Sequence, residues 1–123
     1  MVRRKIMKNV LNKYLNEELK AKPHYIEKEH WVMVKAVLNE FKSTLTNEIL
    51  TEQELATCLN FMMFSMEGLR EICDDTQYKD CKEHIYGLIN HYLEWSAQLE
   101  LYECSYNIKF VQDLLLIKIK IQK

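Results

Sequence analysis

Two stretches of sequence decide the fold: LATCLNFMMFSMEGLREIC at residues 55–73 and YKDCKEHIYGLINHYLEWSAQL at residues 78–99. Within each stretch, apolar residues recur at alternating spacings of three and four, which is the heptad pattern of packed helices. Across the two stretches, six pairs of apolar residues have residue numbers with the same sum, which is the register of two antiparallel helices. The pairs are Cys73/Cys81, Leu69/Ile85, Met66/Leu88, Met62/Tyr92, Leu59/Trp95 and Leu55/Leu99. The pattern predicts an antiparallel helix 3/helix 4 hairpin, at about residues 52–73 and 77–104, with the chain reversing near Gln77.

The composition favours an all-α fold. The chain has 123 residues, of which 48% are hydrophobic and 28% charged, and it contains only two Gly and one Pro. A β-sandwich or a nucleotide-binding α/β domain uses Gly and Pro freely in turns and phosphate loops, whereas a helical bundle does not. This length is typical of one domain. We therefore expect a single helical-bundle domain over residues 1–123, with four or five helices.

The remaining helices are predicted from periodicity and from their end signals. Helix one should occupy about residues 2–21 and stop before Pro23, and helix two should occupy about residues 25–44. Thr51 and Glu54 form a capping-box pattern at the start of helix three. A fifth segment follows Asn107, and we interpret its alternating end, residues 117–121, as a fraying helix because no other strand is available to pair with it.

The sequence favours a soluble, cytoplasmic protein. The amino-terminal segment lacks a continuous apolar region of the kind found in signal peptides, and no apolar run approaches the roughly 18 residues that a membrane span needs. In a reducing compartment the four cysteines are expected to be thiols that pack as small apolar side chains. Cys73 and Cys81 face each other at the closed end of the predicted hairpin, so a disulfide between them is geometrically conceivable.

The formal net charge is only −1, but the charges are unevenly distributed along the chain. Residues 1–45 carry a net charge of +5, residues 46–113 carry −9 and residues 114–123 carry +3. An acidic hairpin disfavours direct binding of nucleic acid through this surface. It favours association with a basic protein, because complementary fields raise association rates and specificity.

The candidate partner-binding residues lie on the predicted outer side of helix four. They combine carboxylates with one aromatic side chain and one amide: Asp80, Glu83, Tyr86, Asn90 and Glu94. This composition suits docking against a basic protein. The leading prediction is therefore a small non-catalytic protein-binding module that inhibits or regulates a basic partner, in the physical role played by immunity proteins and antitoxins.

No catalytic, cofactor-binding or metal-binding residue is predicted. Cys81 and His84 lie three residues apart, but burial of Cys81 on the apolar seam would raise its pKa and make it inert. A Glu-x-x-His pattern of the kind found in di-iron bundles occurs once, at Glu27–His30, where two copies would be needed. His30 is expected to be a partly buried seam residue, and His84 and His91 to be surface groups.

Two other functions remain as alternatives. One is a metal- or ligand-binding bundle that uses His84, His91 and neighbouring carboxylates. The other is a structural homo-oligomer joined through helix three, whose middle is apolar nearly all round because Phe61, Met63 and Phe64 lie off its seam. Such a helix is usually central in its domain or buried in an oligomer. We expect helix three to be central, with a homodimer as the lesser alternative.

Overall fold

The computed structural model describes the backbone of residues 2–121 and the side chains of residues 10–119. Five α-helices and one short 3₁₀ turn make up the described chain, which confirms the predicted all-α bundle. The helices are α1 Val2–Lys20, α2 Lys28–Phe41, α3 Glu52–Ile72, α4 Asp75–Gln98 and α5 Tyr102–Ile121, and the 3₁₀ turn Lys42–Thr44 follows α2. The alternating segment 117–121 is helical, as predicted. No helix among the described residues is both long and apolar enough to cross a membrane.

Four of the helices form a ring in which α3 and α4 occupy opposite corners. The close neighbours are α2 with α3, α3 with α5, α5 with α4, and α4 with α2. The α2 and α4 helices run parallel, since Trp31 contacts His84 near one end and Phe41 contacts Tyr92 further along. The α3 helix runs antiparallel to α2, because Cys58 hydrogen-bonds the carbonyl of Glu40 while Gly68 lies against Met33.

The predicted antiparallel arrangement of helices three and four is confirmed, but the backbone of each lies closest to α2 and α5. The two helices are antiparallel and joined by only two residues, and the first predicted pair, Cys73 and Cys81, is in contact. Further along α4, the partly buried Trp95 ring packs on Tyr14 of α1. A heptad seam shows which face of a helix is buried, but diagonal helices can bury such faces in one shared core without close backbone approach.

The α1 helix covers the outside of the α2/α4 pair. Its aromatic residue Tyr14 lies edge-to-face on Trp95, with ring centroids 5.1 Å apart. On the α2 side, Lys42 donates a hydrogen bond to Asn16 over 2.9 Å. Three leucines bury the inner face of this helix: Leu11, Leu15 and Leu19. The rings of Tyr14 and Trp95 lie between the α1 backbone and α4. Hollows remain between these two helices.

Helix α4 ends earlier than predicted, at Gln98 instead of about residue 104. The Leu101 amide donates to the carbonyl of Ser96, and the Glu100 amide donates to that of Ala97. These bonds form a Schellman motif, which requires a left-handed residue at the position of Glu100. Glu100 has a φ of 60°, the one positive φ among the described non-glycine residues.

The starts of α3 and α4 follow local sequence signals. Thr51 and Glu54 form the predicted capping box. Asp74 and Gln77 form a second one, which starts α4 two residues before the predicted position. A capping box satisfies two otherwise unpaired amides at each helix start.

The apolar middle of α3, which led us to expect a central position for this helix, is buried on one side only. Met63 is buried, but Phe61 and Phe64 are exposed on the outer face of the helix. The α2 helix packs tightly on the inner side, because a Cβ added to Gly68 would lie 2.5 Å from Cε of Met33. At Gly87, by contrast, an added Cβ would meet nothing within 4 Å. The two glycines therefore have different surroundings, and only Gly87 borders open space.

Candidate functional site

The outward face of α4 borders two hollows, which together we call the α4 groove. The first hollow has a volume of about 360 Å³ and the second about 380 Å³. The first is lined by Tyr25, Asp80, Glu83, His84, Gly87 and Leu88. The second, further along α4, is lined by Tyr14, His91, Glu94, Trp95 and Gln98. Each hollow thus combines a histidine and an aromatic ring with at least one carboxylate.

His84 contacts two aromatic side chains at the first hollow. Its Nδ1 hydrogen-bonds the Tyr25 hydroxyl at 2.9 Å, and its ring lies edge-to-face against both Tyr25 and the buried Trp31. Burial lowers the pKa of His84, an effect that the negative charge of Glu18 partly opposes. His84 is thus a half-exposed surface group whose imidazole is held in place by its neighbours.

Aromatic rings form one wall of the second hollow. Tyr14, with 54% of its surface exposed, stands edge-to-face against Trp95. His91 is exposed and lies against the same indole, with ring centroids 5.6 Å apart. Glu94 provides the negative charge of this hollow. A cation placed here would meet both an aromatic surface and a carboxylate, the two groups that attract guanidinium and ammonium ions.

The predicted partner-binding residues divide into two sets. Asp80 and Glu83 line the first hollow and Glu94 lines the second. Asn90 is exposed; it accepts a hydrogen bond from Gln112 of α5 and donates one to Glu94. Tyr86 packs partly buried against the core, and its hydroxyl is buried. Tyr86 is therefore not the exposed aromatic residue that the helical spacing suggested.

Tyr14, Tyr25 and Trp95 are groove residues that sequence reasoning missed. The heptad pattern assigns Trp95 to the α3/α4 seam, and no signal in the sequence marks Tyr14. Tyr25 lies in the connection between α1 and α2, where periodicity gives no information. Their common role depends on α1 packing beside α4, and no local pattern indicates that arrangement.

A second cluster lies at the end of the bundle where α2 and α4 begin. His30, Cys73 and Cys81 are all buried there, and one potential ligand atom from each lies within 4.8 Å of the others. Glu27 and Glu29 make a similarly close group with His30 and are exposed. Sequence reasoning paired the two cysteines but did not connect them to His30, which belongs to another helix.

The thiols in this protein are suited to packing or metal ligation and not to nucleophilic attack. Burial, together with the neighbouring Cys73, raises the pKa of Cys81 to about 12. Burial and the charge of Glu40 raise the pKa of Cys58 to about 12. His84, which lies three residues from Cys81 in sequence, forms a hydrogen bond with Tyr25. No disulfide is formed between Cys73 and Cys81 in this structure.

No group of three potential metal ligands among the described side chains includes His84 or His91. The fold and groove define a five-helix bundle with an acidic, aromatic-lined surface groove. Comparisons with protein-family models, with curated proteins and with solved structures find no match for this chain.

Proposed function

We propose that this chain is a non-catalytic protein-binding module that captures a basic segment of another protein in the α4 groove. The observation that carries the proposal is the pairing of exposed aromatic rings with carboxylates in both hollows. Lysine and arginine side chains are recognised by this combination, because the carboxylate binds the charge and the ring face binds the desolvated cation.

The charge distribution supports a basic partner. Residues 46–113, which contain α4, carry a net charge of −9. The three groove carboxylates have no ion pair with a lysine or arginine among the ion pairs of the described residues. An incoming cation would therefore not have to displace a lysine or arginine of the described part of the chain. Such complementarity raises the association rate at low salt and helps to exclude acidic partners.

The groove geometry also supports an extended occupant. Gly87 leaves open space on the face between the two hollows, and the positions from Asp80 to Gln98 span most of α4. At a rise of about 1.5 Å per residue, that distance is roughly 27 Å. A segment carrying two basic side chains could place one in each hollow.

Trp95 provides the first experiment, because it lines the second hollow while Trp31 is buried. A synthetic peptide rich in lysine and arginine is titrated against the protein, and tryptophan fluorescence is recorded at low and physiological salt. We expect saturable binding that weakens with salt and a signal that is lost in Trp95→Phe. An acidic peptide of the same length should give no response.

Charge reversal locates the binding surface. Glu83→Lys combined with Glu94→Lys should weaken peptide binding at least tenfold. The matched control combines Glu48→Lys with Glu71→Lys, two exposed residues outside the groove, and changes the net charge equally. Equal losses in both double variants would show that net charge alone attracts the peptide and would refute the groove assignment.

We further propose that binding of the basic segment inhibits or regulates the partner protein, as immunity proteins and antitoxins do. An acidic surface that covers a basic active site blocks it sterically and electrostatically. A pull-down from native lysate with wild-type protein and the Glu83→Lys/Glu94→Lys variant would identify candidates. The partner's activity is then measured with and without this chain, and unchanged activity at saturation contradicts an inhibitory role.

A further inference from the structure

A buried cluster of His30, Cys73 and Cys81 lies outside the α4 groove. His30 comes from α2, Cys73 from the carboxyl end of α3 and Cys81 from α4, so the tertiary fold brings together three separate segments. All three side chains are buried, with exposures of 4%, 8% and 1%. The sulfur atoms of the two cysteines lie within 4.8 Å of each other.

The chemistry of this cluster suits a thiophilic divalent ion. Two cysteine sulfurs and one imidazole nitrogen are ligands that Zn²⁺ binds in proteins, in tetrahedral sites. With zinc–sulfur bonds of about 2.3 Å, two sulfurs of a tetrahedral site lie about 3.8 Å apart. The potential ligand atoms here already lie within 4.8 Å of one another, so shifts of about 1 Å would close the site around an ion.

The surroundings provide a path to solvent and an ordered outer layer. Glu27 and Glu29 lie beside His30 on the exposed side of the cluster and could attract a cation. Gln77 donates to the Glu27 carboxylate over 3.2 Å while it also caps α4. Outer groups of this kind orient metal ligands and tune affinity. A carboxylate or a water molecule would occupy the fourth coordination position of the ion.

We propose that His30, Cys73 and Cys81 form a zinc site that fastens α2 to the α3–α4 connection. Binding replaces the two thiol protons, which leave to solvent, and changes no oxidation state. The ion would fix the end of the bundle where α3 and α4 separate toward opposite corners.

Cobalt serves as the spectroscopic probe of the reduced, full-length protein. We expect Co²⁺ to bind at one equivalent with a thiolate-to-cobalt charge-transfer band and the visible absorption of a tetrahedral ion, and Zn²⁺ to displace it. Zinc at about a hundredfold above its Kd should raise the melting temperature by roughly 10 °C. Substoichiometric cobalt without a charge-transfer band, or an unchanged melting temperature in zinc, would overturn the proposal.

Cysteine variants identify the ligands, because the chain provides matched controls. Cys73→Ser and Cys81→Ser should lose the charge-transfer band, whereas Cys58→Ser and Cys104→Ser change equally buried thiols and should keep it. Loss of the charge-transfer band in Cys58→Ser or in Cys104→Ser would place the metal elsewhere and refute this site. If Cys81→Ser fails to fold, the wild-type spectrum and the zinc-dependent melting temperature still decide the outcome. A Cys73–Cys81 disulfide that forms at cellular glutathione potential in the presence of zinc would also refute it.

Discussion

Single residues in this protein have roles that depend on which neighbouring helix covers them. Tyr86 was predicted to be an exposed docking residue, yet its hydroxyl is buried and has no hydrogen-bond partner among the described residues. Burial also raises its pKa, since the charged phenolate would be poorly solvated. A buried hydroxyl without a partner costs free energy in the folded state.

Tyr86→Phe should therefore stabilise the protein by about 1 kcal/mol, because it removes the unsatisfied hydroxyl and keeps the ring. Chemical denaturation measures the change in the free energy of unfolding. Tyr102→Phe, at an exposed position, is the control and should be neutral. Destabilisation by Tyr86→Phe would mean that the hydroxyl forms a bond, for instance with an ordered water.

His84 should make stability depend on pH. Its pKa in the folded protein is lowered from 6.5 by burial, with Glu18 acting in the opposite direction. The unfolded chain therefore binds the proton more tightly, and the free energy of unfolding should fall as the pH drops below about 6.5. Asp80 and Glu83 line the same hollow, and Tyr25 holds the ring.

Denaturation curves between pH 7.5 and 5.5 test this expectation. His84→Asn should lose less stability over that range than the wild type, because asparagine cannot take up the proton. Parallel curves for His84→Asn and wild type would contradict the assignment of this effect to His84.

At the scale of the elements, the starts of α3 and α4 follow from local sequence signals, whereas the end of α4 does not. Capping boxes at Thr51 and Asp74 start α3 and α4, and both patterns can be read from four residues. The end of α4 could not be read in this way, because a Schellman turn usually places glycine where this chain has Glu100. The apolar seam of α4 also continues through the break to Tyr102.

Glu100→Gly should raise the free energy of unfolding by about 1 kcal/mol, because it relieves the left-handed backbone conformation of a residue with a Cβ. The control, Glu83→Gly, lies in the interior of α4 and should cost about 1 kcal/mol. Thermal unfolding of both variants gives the comparison. Destabilisation in both would show that the chain does not turn at Glu100.

Asn107 ties the loop before α3 to α5. The buried side chain accepts from the Leu50 amide and donates to the Glu48 carbonyl over 2.8 Å. Asn107→Leu would leave these backbone groups unpaired and should cost about 2–3 kcal/mol. Asn39→Leu, at an exposed site on α2, is the control in denaturant unfolding. A cost below about 0.5 kcal/mol would mean that water replaces the amide.

At the scale of the whole molecule, the exposed face of α3 bears on self-association. Phe64 is 74% exposed and Phe61 54%, although a helix with such a sequence was expected to be buried. The homodimer alternative predicts that sedimentation at high concentration detects a dimer that Phe61→Ser combined with Phe64→Ser dissociates. A wild-type chain that remains monomeric would eliminate that alternative without affecting the α4 groove.

The sequence by itself determined the helical class, the capped starts of α3 and α4, and the faces that are buried, because each depends on residues within a few turns of one another. Only the tertiary structure decided that α3 and α4 lie diagonally, since a buried seam does not specify its neighbour. The same packing placed Tyr14 and Tyr25 beside α4 and brought His30 to Cys73 and Cys81. Groups that belong to separate helices meet only through the arrangement of the whole bundle, and that arrangement is a collective free-energy minimum with no local signature.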